Sequence, residues 1–148
     1  MLYTEWKREM QKRVDALPIF CAFTQAQLDK ELAERNATTD DIYSLGAGTY
    51  YLKKDADLIR EWDKDTSALG ELMKEHDFAV SAFYEEMKNH EYSINYYQRN
   101  WDVLNCFSDE ELEYTNTDDI DFYLKQMGHT EWKPWYMEAR KKYYATIE

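Results

Sequence analysis

Glycine and proline are scarce in this chain, at 4 and 2 among 148 residues. That excludes a linker, a low-complexity segment or a collagen-like repeat. The two cysteines, Cys21 and Cys106, lie far apart and form no CxxC pair. A disulfide framework or a paired-cysteine metal motif is therefore excluded, and the expectation is two buried thiols in a reducing cytosol. Apolar runs are short, and none approaches the roughly 20 residues that cross a bilayer. The opening "MLYTEWKREMQKRV" is charged and periodic, unlike a secretory leader. There is no GxSxG nucleophile elbow, no HExxH and no internal repeat. Basic side chains are the other shortage: 18 against 30 acidic, a net charge of -12. Binding to nucleic acid or anionic lipid needs cations on the protein, so direct contact with either is not expected.

The charge is unevenly spread. Residues 1–13 and 133–148 each carry four basic and two acidic side chains, so the chain between them is more acidic than the whole. No basic residue stands between Arg99 and Lys125. Hydrophobic residues make up 44% and aromatic residues 16%, including 13 tyrosines. A chain with that composition and length can bury a core as a single domain, residues 1–148.

Periodicity predicts helices around a small sheet. Trp6, Met10, Val14 and Leu17 recur at helical spacing from about Thr4 to Ala16, and Pro18 stops the run. In "FTQAQL", Thr24 is an N-cap, Gln27 completes a capping box and Phe23 can staple onto Leu28. That helix ends near Arg35. "YSLGAGTYYLKK", residues 43–54, spends two of the four glycines on Gly46 and Gly48. A phosphate-cradling loop would need a helix directly after the glycines. The following "TYYLKK" reads as a strand, so the stretch is a hairpin with a three-residue turn. "DADLIREWDKDTSALGELMKE" predicts one long helix, with Leu58, Trp62, Leu69, Leu72 and Met73 on one face and Asp55 or Asp57 as cap. "DFAVSAFYEEMKN" predicts another, carrying Val80, Phe83, Tyr84 and Met87. The alternation in "EYSINYY" predicts a third strand for the sheet, with Tyr96 and Tyr97 on opposite faces as for Tyr50 and Tyr51. Helices are then expected from Ser108, with Glu111 closing a box and Phe107 stapled to Leu112. Another starts at Thr117, with Ile120, Tyr123, Leu124 and Met127 as its stripe and Gly128 as terminator. A last helix carries Trp135, Ala139, Tyr143 and Ile147. The fold class is α+β: mostly helical, with a small three-stranded antiparallel sheet.

Chemistry is sparsely signalled. Glu86 and His90 stand at i, i+4, but two ligands do not make a zinc site, and no metal, cofactor or catalytic residue is assigned. Asp55, Asp57 and Lys53 resemble a nuclease grouping, while also reading as helix caps and a strand end. Neither thiol has an obvious activating neighbour in sequence. The acidic stretch "SDEELEYTNTDDID" holds Asp109, Glu110, Glu111, Glu113, Asp118, Asp119 and Asp121. Acids near a helix start offset its dipole, which accounts for part of this run. Spaced carboxylates can also imitate a phosphate backbone and occupy a basic groove.

The segments "LPIFCAFT", "YSLGAGTYYLKKDADL" and "SAFYEEMKNHEYSI" resemble a family of small acidic proteins from gut-dwelling bacteria and their phages or mobile elements. "KKDADL" and "NHEY" are its most specific parts, and the resemblance covers roughly residues 1–105. It implies a setting among accessory genes of mobile elements, where small acidic proteins often antagonise host defence. It carries over no functional residue. The expectation is a non-enzymatic, cytoplasmic interaction protein whose seven acidic residues bind a basic surface on a nucleic-acid-binding host protein. Inhibition of a defence system, of anti-CRISPR or antirestriction type, would follow. The alternatives are a small metal-dependent nuclease using Asp55, Asp57 and Lys53, or an accessory regulator of element replication or transfer.

Overall fold

The computed structural model describes residues 1–147. Its helices are α1 (Tyr3–Ala16), α2 (Gln25–Glu34), α3 (Ala56–Thr66), α4 (Leu69–Leu72), α5 (His76–Asn89), α6 (Arg99–Asn105), α7 (Ile120–Met127) and α8 (Lys133–Ile147). The strands are β1 (Ile19–Cys21), β2 (Ile42–Gly46) and β3 (Thr49–Leu52), an antiparallel sheet in the order β1-β3-β2. The α+β class is therefore correct. The chain groups into two compact units, Glu9–Ser67 and a second made of Met1–Arg8 with the chain from Ala68 onward.

In the Glu9–Ser67 unit, the hairpin forms where the glycines predict it. Gly46, Ala47 and Gly48 all take positive φ, and the register slips between Ser44 and Gly46. The Phe23 ring lies over Gly48, where an added Cβ would come within 2.6 Å of it and 2.9 Å from the Ala22 carbonyl. Glycine is thus required there by space as well as by φ. The third strand is not "EYSINYY" but Ile19–Cys21, paired as Ile19 with Tyr51, Phe20 with Tyr50 and Cys21 with Thr49. Only Phe20 of β1 is buried, with the Arg35 guanidinium 3.9 Å from its ring centre. Thr24 caps α2 by accepting from the Gln27 N–H, while the Gln27 side chain accepts from the Phe23 N–H. The long helix expected from residue 55 breaks after Thr66, because the Thr66 and Ser67 hydroxyls both donate to the Asp63 carbonyl. Ile59, not Leu58, is its buried residue.

The other unit is built on α5. Phe78, Ala79, Val80, Ala82, Phe83, Glu86 and Met87 are all buried on it, a face too wide for a surface helix. It packs against α8 and α6, while α7 packs on α6 and α8. Phe83 meets the rings of Phe107, Trp132 and Tyr136 edge-on. Tyr92 and Tyr136 are fully buried, and both hydroxyls donate to Asn100 Oδ1, at 2.6 and 2.8 Å. Burying those hydroxyls costs little because each has a partner. "EYSINYY" is a series of turns. Tyr92 goes into the core, Glu91 takes a positive φ, and the Ile94 and Asn95 N–H groups both donate to the Glu91 carbonyl. Tyr96 and Tyr97 are consequently exposed. Both cysteines are exposed as well. Cys21 lies on the outward side of a strand whose neighbour Phe20 points in.

Candidate functional site

The helix expected from Ser108 does not form; residues 108–117 run as an irregular strap. Its backbone is fixed by tertiary bonds instead. Leu112 is buried, its N–H donates to Asn105 Oδ1, and its carbonyl accepts from Trp101 Nε1 at 2.8 Å. The Glu113 N–H donates to Gln126 Oε1 and the Thr115 N–H to the Tyr123 hydroxyl. Asp109, Glu110, Glu111 and Glu113 project from this strap into solvent. The other three predicted residues have separate duties. Asp118 is buried and accepts from the Asn100 and Trp101 N–H groups at 2.9 and 3.0 Å, closing the start of α6 from a distance. Burial raises its pKa, and the two backbone bonds work against that rise. Asp118 therefore does not belong to an exposed acidic surface. Asp119, rather than Thr117, caps α7, and Asp121 pairs with Lys133 at 2.7 Å. Exposed aromatics flank the strap: Tyr114 donates to the Tyr97 carbonyl at 2.7 Å, and Tyr96 and Tyr97 stand in solvent.

The nuclease-like grouping is split among local contacts. Asp57 pairs with Arg60. The Lys53 ammonium lies 5.2 Å from the Tyr43 ring centre.

A second constellation is centred on Glu86, the one charged side chain on the buried face of α5. Its Oε1 accepts from the Tyr3 hydroxyl at 2.9 Å, Lys7 Nζ at 3.0 Å and Asn89 Nδ2 at 3.3 Å. Its Oε2 lies 3.4 Å from His90 Nε2 and 3.5 Å from Cys106 Sγ. His90 Nε2 and Cys106 Sγ are themselves 3.4 Å apart. Among the described residues this is the place where three metal-ligating side chains converge. Burial would raise the Glu86 pKa, but the bonds from Lys7 and Tyr3 outweigh it, so the carboxyl is held below its usual range. Cys106 is exposed as a residue, but its sulfur sits among Glu86, His90 and the Asp102 carbonyl, and the loss of water there, then the Glu86 charge, pushes its pKa up to about 12. That shift favours the protonated thiol, the less nucleophilic form. The same His90 nitrogen, Nε2, faces both Glu86 and Cys106. Sequence reasoning reached Glu86 and His90 but not Cys106. The missing step was α6, a helix of 7 residues that returns the chain to the end of α5.

A family of unknown function, DUF7659, matches residues 2–130, which include both constellations. The chain belongs to that family. Within DUF7659 the match takes in the hairpin, α5, α6 and α7 and stops short of α8. No curated protein and no solved structure matches the chain. Among the described residues, no helix is long and apolar enough to cross a membrane.

Proposed function

We infer that this DUF7659 protein is a non-enzymatic interaction protein of a phage or other mobile element, one that occupies a basic groove on a nucleic-acid-binding host protein. The carrying observation is the strap. Asp109, Glu110, Glu111 and Glu113 are exposed, have no ion-pair partner among the described residues, and lie on or directly before a stretch whose backbone four tertiary hydrogen bonds pin at Leu112, Glu113 and Thr115. A backbone already ordered at Leu112–Thr115 loses less entropy on docking than a free loop would. Their like charge steers a basic partner and repels nucleic acid. The neighbouring tyrosines add the kind of side chain that interfaces favour. An RNA-guided nuclease or a restriction enzyme of the host has the required groove, and its inhibition is the reading we favour.

The test replaces Asp109 and the three glutamates by Asn and Gln. No helix begins at these positions, so the variant should keep its stability within about 0.5 kcal/mol. Asp119 is unsuitable, because its loss would uncap α7. The wild-type chain should compete with DNA for the purified effector, less so as salt rises. The variant should associate more slowly. Inhibition that survives the four changes, or binding of DNA by the chain itself at physiological salt, would refute the reading.

A further inference from the structure

A triangle with sides of 3.4, 3.4 and 3.5 Å has its centre about 2 Å from each corner, close to the roughly 2.0–2.3 Å that zinc keeps to oxygen, nitrogen and sulfur. Glu86 Oε2, His90 Nε2 and Cys106 Sγ already stand at that separation with no ion between them. We propose that these three atoms bind one divalent cation of zinc's class, with a fourth position open to solvent. The inference is independent of the docking surface.

Three features support it. The donors are one carboxylate, one imidazole and one thiol, a borderline-soft set that suits zinc and disfavours magnesium or calcium. Glu86 stands in the last turn of α5 and His90, four residues on, is its C-cap, while Cys106 caps the end of α6. The carboxylate is held at one oxygen: Tyr3, Lys7 and Asn89 all donate to Oε1, leaving Oε2 to face His90 and Cys106. Outer bonds of that kind orient ligands in metal sites. Access is also present, because Cys106 is exposed and His90 is about one-third exposed at its side chain. In the metal-free state the thiol keeps its proton and points it at Glu86 or at the Asp102 carbonyl, 3.2 Å away. On binding, the ion replaces that proton, which passes to solvent, and the thiolate and carboxylate together balance the two positive charges. Three protein ligands with a free fourth position is the arrangement in which zinc takes up water or an outside donor.

The experiment uses the full chain, reduced and freed of metal, titrated with cobalt(II) as a spectroscopic probe. One cobalt per chain should bind, with a thiolate-to-cobalt charge-transfer band and the visible spectrum of a four-coordinate ion. Zinc should then bleach the band. Cys21→Ser should change nothing, and Cys106→Ser should abolish the band. His90→Gln should weaken binding by at least about 10-fold, the lower bound for loss of even an outer partner. His90 and Cys106 are both solvent-accessible, so both variants should fold, and their circular dichroism and Tm would show it. The absence of the band in the wild-type chain, its survival in Cys106→Ser, its loss in Cys21→Ser, undiminished affinity in His90→Gln, or zinc failing to displace cobalt would each overturn the proposal.

Discussion

Among the described residues, the unit built on α5 buries eighteen apolar side chains as one cluster, whereas the Glu9–Ser67 unit buries four: Phe20, Ala22, Leu32 and Ile59. Ion pairs occur in both units and do not make up that difference; the α5 unit has Lys7 on Glu86 and Lys133 on Asp121 among others, and those of the Glu9–Ser67 unit all involve arginine. Arg13 pairs with Asp65, Arg35 with Glu31 and Arg60 with Asp57, and the Arg35 guanidinium covers Phe20. The first unit also buries hydroxyls against an amide, Tyr92 and Tyr136 on Asn100. Burial of apolar area contributes about 25 cal/mol per Å², while an exposed ion pair contributes about 0–1 kcal/mol. Global stability should therefore reside in the α5 unit, and the hairpin unit should be the first to open.

The sharpest test of that contrast is a pair of truncations. Phe83→Ala should cost about 3–5 kcal/mol by urea denaturation, since the site is enclosed by aromatic rings and cannot collapse. Phe20→Ala should cost clearly less, because the sheet can relax around it. Equal costs would mean that the two units share one cooperative core.

Alkaline pH should separate the units next. Burial raises the pKa of Tyr136 well above its usual value of 10.0, and raises those of Tyr3 and Tyr92; all three lie in the α5 unit. A tyrosine whose folded pKa is raised contributes stability that is complete below the unfolded value. That contribution is lost as pH rises beyond about 10, where only the unfolded chain ionises. The unfolding free energy should fall steeply there and track the absorbance change of ionising tyrosine. A flat profile across that range would show that these hydroxyls are not buried in solution.

The smallest effect belongs to the hairpin. Gly48→Ala combines a φ of +77° with a Cβ 2.9 Å from a fixed carbonyl, so about 1–2 kcal/mol should be lost. The loss should appear as faster amide exchange across β2 and β3 and leave α5 protected. Uniformly faster exchange would contradict independent opening.

Much of this architecture was legible in the sequence where the signal is local. Helical spacing found α1, α5, α7 and α8, and paired glycines found the hairpin. Thr24 and Gly128 were read as the cap and the terminator that they are. The failures share a cause. "EYSINYY" alternates like a strand, yet Tyr92 is captured by Asn100 and the remainder turns away. "FSDEEL" carries a capping box and a staple, but Leu112 is drawn into the core and the backbone bonds to Asn105 and Gln126. In both places a tertiary partner outweighed a local preference. The same partners placed Asp118 inside and brought Cys106 to His90, and neither event has a signature within a few residues of sequence.

The match to DUF7659 ends at residue 130, and α8 begins at Lys133. Yet α8 lends Tyr136, Ala139 and Tyr143 to the buried cluster, and Tyr136 completes the pair of hydroxyls on Asn100. The matched segment by itself would leave this chain's interior uncovered on the side that α8 closes. What α8 must supply to close it is ring volume and one hydroxyl. The edge of the recognisable family and the edge of the folding unit fall at different places in this chain.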